Sequence, residues 1–101
     1  MTKIYVFDID GTICSNTNGD YEEAVPFQEI IDKINKLYID GNIIKMMTAR
    51  GSTTGIDWTN LTEKQLQDWG VNYHELIMNK KPHADVFVDD KAINVSSFRL
   101  L

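Results

Sequence analysis

Two aspartates one residue apart, Asp8 and Asp10, directly follow the apolar run Ile4-Tyr5-Val6-Phe7, and Gly11 follows them. A continuous apolar run that stops in carboxylates reads as a strand buried on both faces and ended by a polar loop. The pattern recurs where Ile43-Ile44-Lys45-Met46-Met47 runs into Thr48-Ala49-Arg50-Gly51, and where Val86-Phe87-Val88 runs into Asp89-Asp90. Lys80-Lys81-Pro82 lies just upstream of that last run. If these strands are parallel neighbours, their carboxyl ends share the edge where open α/β sheets bind ligands. Carboxylates crowded there repel one another, and a hard divalent cation relieves the conflict. Oxygen donors favour magnesium over zinc, and His74 and His83 have no Cys or His at zinc-ligand spacing.

The chemistry open to such a set is phosphoryl transfer. Asp8 would attack phosphorus once the charge of the phosphoryl oxygens is neutralised by Mg2+ and a lysine, Lys81 being favoured over Lys80 because it adjoins the proline. Asp10 would protonate the leaving oxygen and then deprotonate the hydrolytic water. Thr48 would donate to a phosphoryl oxygen, and Gly11 would let backbone amides approach. Gly11, Thr48, Ala49 and Arg50 are the candidate substrate-binding residues. Arg50 has two readings, a clamp on a substrate anion or a pairing with Asp57. Each residue also has a plain alternative: strand-end acids as solvated loop residues, Thr48 as a turn cap, Lys81 as a surface lysine, Cys14, Trp58 and Trp69 as packing groups, and His74 and His83 as hydrogen-bonded or exposed structural residues. The ordered set, rather than any one member, favours catalysis. Trp58, in a loop near the site, is open to a substrate-facing role.

The elements that must position these residues follow from periodicity. Apolar residues Phe27, Ile30, Ile31, Ile34, Leu37 and Tyr38 recur at helical spacing, with Pro26 suited to the first turn and Gly41 to the C-terminal cap. Asn60-Leu61-Thr62-Glu63 has the form of a capping box opening a second helix through Leu66 and Trp69, closed by Gly70. A short run at Leu76 to Met78 precedes the one at Val86. The segment from Cys14 to Tyr21 is rich in turn formers and predicts an exposed excursion. Alternating strands and helices without hairpin signals predict a single α/β domain over residues 1–101, with a short parallel sheet and right-handed crossovers.

Composition limits the partners. A net charge of -5 and no basic cluster longer than Lys80-Lys81 do not favour a nucleic-acid partner. No apolar run approaches the roughly 20 residues that span a bilayer, so the expectation is a cytoplasmic protein without a membrane partner. A single cysteine fits a reducing compartment. Nothing in the pattern bears on oligomeric state.

The residues also carry a resemblance. Phe7-Asp8-Ile9-Asp10-Gly11-Thr12-Ile13 resembles the first motif of the haloacid dehalogenase (HAD) superfamily. Met46-Met47-Thr48-Ala49-Arg50 resembles the second, Lys81-Pro82 the third and Val88-Asp89-Asp90 the acidic fourth, in the same order. The resemblance implies a three-layer Rossmann-like core and a phosphoaspartate on Asp8. It also implies Mg2+ held by Asp8, the backbone carbonyl of Asp10, and Asp90, with Asp89 either on the ion or behind Asp90. The short spacing between motifs resembles the capless branch, and within it small proteins described as capsule-biosynthesis or phosphosugar phosphatases. The implied activity is hydrolysis of a small phosphorylated metabolite such as a sugar phosphate. Two other functions share the motif types: a polynucleotide 3'-phosphatase, and a non-enzymatic receiver-like phosphoacceptor.

Overall fold

The computed structural model describes residues 2–79 and 86–88. The elements are strand β1 (Ile4–Asp8), helix α1 (Gln28–Ile39), strand β2 (Ile43–Thr48), helix α2 (Thr59–Asp68), strand β3 (Glu75–Met78) and strand β4 (Val86–Val88), with one 3-10 turn at Tyr21–Glu23. All strand pairings are parallel, in the order β3-β2-β1-β4. The parallel α/β sheet expected from the run pattern is therefore present, and β1 is central because its apolar run must be covered on both sides.

Register assigns the faces. Tyr5 lies opposite Ile44, and Phe7 lies opposite both Met46 and Val88. Phe7, Ile44, Met46 and Val88 form one buried cluster with Ile30, Ile31 and Ile34 of α1 and Leu66 of α2, and Tyr5 packs against it. Both described helices thus cover the same face of the sheet. Each fully buried isoleucine of α1 contributes about 1.5–3 kcal/mol relative to an exposed position. Val6, on the opposite face, is buried as well.

Both helices end as the glycines suggested. At Gly41 (φ +94°) the chain enters the left-handed region, Gly41 N–H donates to Tyr38 O and Asn42 N–H to Leu37 O. That pair of bonds satisfies the last carbonyls of α1 in a Schellman arrangement. Gly70 closes α2 in the same way through Leu66 and Gln67. Asn35 then fastens α1 to this turn, donating to Gly70 O and accepting from Asn72 N–H, each at 2.8 Å.

The start of α2 departs from expectation. The helix begins at Thr59, and Asp57 Oδ1 accepts the Thr59 N–H at 2.9 Å. Asn60 is therefore already inside the helix and forms no capping box with Glu63. The Thr59 hydroxyl and amide hold the Asp57 carboxyl below its usual range. Pro26 likewise lies ahead of α1, whose first flanking residue is Phe27.

Candidate active site

The parallel register sets Asp8 opposite Met47, so the carboxyl ends of β1 and β2 deliver Asp8 and Thr48 side by side. Both line an open cleft of about 530 Å³, together with Asp10, Ala49 and Arg50. Its outer wall comes from the excursion after β1 (Asn16, Asn18, Gly19, Tyr21) and the loop after β2 (Ser52, Thr53, Thr54, Ile56, Trp58). Tyr21 meets Trp58 edge to face, ring centroids 5.0 Å apart, which fixes one wall to the other. Trp58 thus faces the cleft, while Trp69 packs against the core.

Arg50 is where the geometry departs most from the sequence expectations. Its side chain is fully enclosed. Nε donates to Asp10 Oδ2 at 3.0 Å and Nη2 to Asp10 Oδ1 at 2.8 Å, a bidentate fork on one carboxylate. Nη1 donates to Thr62 Oγ1 at 3.1 Å and Gln65 Oε1 at 2.6 Å, and the Tyr21 ring lies 4.6 Å from Cζ. Neither sequence reading of Arg50 describes this: its partner is Asp10 rather than Asp57, and its donors turn inward rather than toward a ligand. A guanidinium buried at a sheet edge needs a carboxylate and further acceptors to offset its lost hydration, and Asp10, Thr62 and Gln65 supply them.

Thr48 is buried and its Oγ1 accepts the Arg50 N–H at 3.1 Å. It caps the turn, as the plain reading held, and among the described residues its hydroxyl proton has no acceptor. Gly11 is not among the described residues lining the cleft, and its N–H is engaged by Cys14 O at 2.9 Å. Gly11's own amide is thus committed within its loop. Cys14 is buried, and burial, together with the charge of Asp10, pushes its thiol up to about 12. The thiol stays protonated at neutral pH and acts as a filler. His74 is structural: it stacks on Tyr38, and its Nδ1 accepts the Ile44 N–H at 3.0 Å, prolonging the pairing of β2 with β3. Lys80, Lys81, His83, Asp89 and Asp90 lie outside the described residues.

The loop after β2 holds its shape through Gly51. It sits at φ +86°, and a Cβ added there would collide with the carbonyl oxygen of Ile56. Gly51→Ala is expected to displace the loop carrying Ser52 to Trp58 and to destabilise the fold by about 1–3 kcal/mol, read as a lower melting temperature. An unchanged melting temperature would show that the loop relaxes without cost.

Four residues escaped sequence reasoning. Tyr21 looked like part of a solvated excursion, and Asn79 had no motif. Asn79 adopts φ +63°, donates its N–H to Thr48 O at 2.8 Å, and lines a smaller hollow with Asp8 and Ser52. Thr62 and Gln65 share one face of α2, three residues apart, and both are buried despite being polar. The one available signal was these two polar residues on the side of α2 that carries Leu66.

A hard cation suits the donors present. Both Asp10 carboxylate oxygens accept from Arg50, and Oδ1 also from the Cys14 thiol at 3.7 Å, which leaves Oδ2 a lone pair, and among the described residues nothing donates to the Asp10 backbone carbonyl oxygen. An acidic side chain from Asp8 and a backbone oxygen from Asp10, at one open edge, are the oxygen ligands magnesium takes. The described residues alone hold no group of three His, Cys, Asp or Glu able to bind a metal. No described helix is long and apolar enough to cross a membrane.

No family model and no curated protein matches the chain. Among solved structures, the crystal structure of a structural-genomics target from Vibrio cholerae superposes with a TM-score of 0.78 at 24% identity, covering 99% of this chain and 89% of that one. At that identity the likeness concerns the fold alone, a small parallel α/β architecture.

Proposed function

We propose that this protein is a Mg2+-dependent phosphomonoester hydrolase of the HAD type, with a capless three-layer core, working through a phosphoaspartate on Asp8. The observation that carries the reading is the convergence of Asp8, Asp10 and Thr48, from the ends of two adjacent parallel strands, on one open cleft. The ordered motif set, including Lys81, Asp89 and Asp90, supports it from the sequence side.

In this mechanism an Asp8 oxygen attacks phosphorus, and the leaving oxygen takes a proton from Asp10. Water then attacks the phosphoaspartate, Asp10 accepts the water's proton, and Asp8 is released as a carboxylate with inorganic phosphate. Thr48 Oγ donates to a phosphoryl oxygen as negative charge gathers there. Mg2+, held by Asp8, the Asp10 carbonyl and Asp90, with Asp89 on or behind it, would neutralise phosphoryl charge when bound. Among the described residues lining the cleft, the sole cation is the enclosed Arg50. That wall, rich in amides and hydroxyls, favours a small uncharged leaving group such as a sugar over a polynucleotide, whose phosphates need clustered cations.

The test is release of phosphate from p-nitrophenyl phosphate and from a panel of sugar phosphates. Excess EDTA is expected to cut turnover by roughly 100-fold or more, with recovery when Mg2+ is restored. Full activity in EDTA would end the metal-dependent reading.

A further inference from the structure

Gln65 belongs to none of the motifs, yet it sits at the junction of the site's two walls. Its side chain lies on α2 with the residue only 8% exposed. Both polar ends are engaged: Oε1 accepts from Arg50 Nη1 at 2.6 Å, and Nε2 donates to Tyr21 O at 2.6 Å. Because the guanidinium is planar, fixing Nη1 fixes the directions of Nε and Nη2, which hold the two oxygens of Asp10. Thr62 grips the same Nη1 from one turn earlier, and the Tyr21 ring closes one face of the plane. A carboxylate held at both oxygens by a rigid fork has one orientation, whereas a point charge would let it turn.

We propose that Gln65, acting through Arg50, is a positioning residue that sets the direction of the Asp10 carboxylate for the water step. The inference rests on the phosphatase reading above. In that step a water oxygen bonds to phosphorus, the bond from phosphorus to the Asp8 oxygen breaks with its electron pair returning to Asp8, and the water proton passes to Asp10. The preceding step on p-nitrophenyl phosphate needs no proton from Asp10, since p-nitrophenolate leaves as the anion, so on this substrate Asp10 enters the water step as the carboxylate that Arg50 holds. Misdirecting Asp10 therefore slows the second step and spares the first.

Rapid mixing of the full chain with p-nitrophenyl phosphate and Mg2+ separates the two steps. Gln65→Met keeps the length and volume of the side chain and removes both hydrogen bonds. It is expected to release about one p-nitrophenol per chain in a burst, then to turn over slowly. The steady kcat should fall roughly 10- to 100-fold, with KM falling in parallel and kcat/KM unchanged. Gln65→Glu, which keeps an acceptor for Arg50, should recover most of the wild-type rate. Arg50→Lys, which keeps the charge and loses the fork, should show the same burst and carries the test if Gln65→Met does not fold. A folded Gln65→Met that matches or exceeds the wild-type rate would overturn the proposal, as would a loss of kcat/KM without a burst. A wild-type chain that forms no hydroxylamine-sensitive phosphoenzyme would instead bring down the phosphatase reading itself.

Discussion

Asp8→Asn is expected to abolish phosphate release, lowering kcat by roughly 1,000-fold or more, because the amide cannot serve as the nucleophile that accepts the phosphoryl group. Asn matches Asp in volume, and position 8 ends β1 at the rim of the cleft rather than inside the buried cluster. The fold should therefore survive, with a melting temperature within a few degrees of wild type. Released p-nitrophenol and a thermal melt on the same preparation read both quantities. Activity retained by a folded Asp8→Asn chain would remove this residue from the chemistry and return the acidic strand ends to their plain reading as solvated loop residues.

The largest expected effect on stability comes from Arg50→Met. The wild-type guanidinium is enclosed and supplies donors to Asp10, Thr62 and Gln65, while the Asp10 side chain is only 19% exposed. Methionine fills much of the space but leaves a half-buried carboxylate without its counterion and two buried polar side chains without a donor. Breaking one side of such a pair costs about 3–5 kcal/mol. For a domain of this size that corresponds to a melting temperature lower by roughly 12 °C or more. A melt by circular dichroism measures it, and a shift of no more than a few degrees would mean that water or a rearranged neighbour takes over the role of Arg50. The contrast with Asp8→Asn separates the two aspartates: Asp8 is expected to matter for turnover, and Asp10 both for turnover and, through its fork, for stability.

The strands and helices were legible because their signals are local. An apolar run needs cover on both faces, six apolar residues at helical spacing need a core on one side, and a glycine past the last turn lets a helix end. The same locality explains where expectation and structure part. Asn60-Leu61-Thr62-Glu63 has the letters of a capping box, but the helix already starts at Thr59, whose N–H donates to Asp57, and Thr62 accepts from Arg50 inside it. His74 and Cys14, both capable of chemistry by type, are absorbed into a strand pairing and a buried turn.

Arg50 shows the limit most directly. From its neighbours it could be expected to reach a ligand or Asp57, because both lie within a few residues of it or its loop. Its actual partners, Asp10, Thr62, Gln65 and Tyr21, come from β1's loop, α2 and the excursion, 12 to 40 residues away along the chain. No periodicity encodes such a meeting, since it depends on how α2 lies over the ends of β1 and β2.

The order of elements, the strand-end placement of Asp8, Asp10 and Thr48, and the turn chemistry follow from the chain's own residues, since each is decided by burial and backbone preference within a few positions. The direction of the Asp10 carboxylate, the enclosure of Arg50 and the pairing of Tyr21 with Trp58 were decided by the tertiary structure alone. A buried charge takes whichever partners the packed elements bring within hydrogen-bonding reach, and those partners are set by the fold rather than by proximity in sequence.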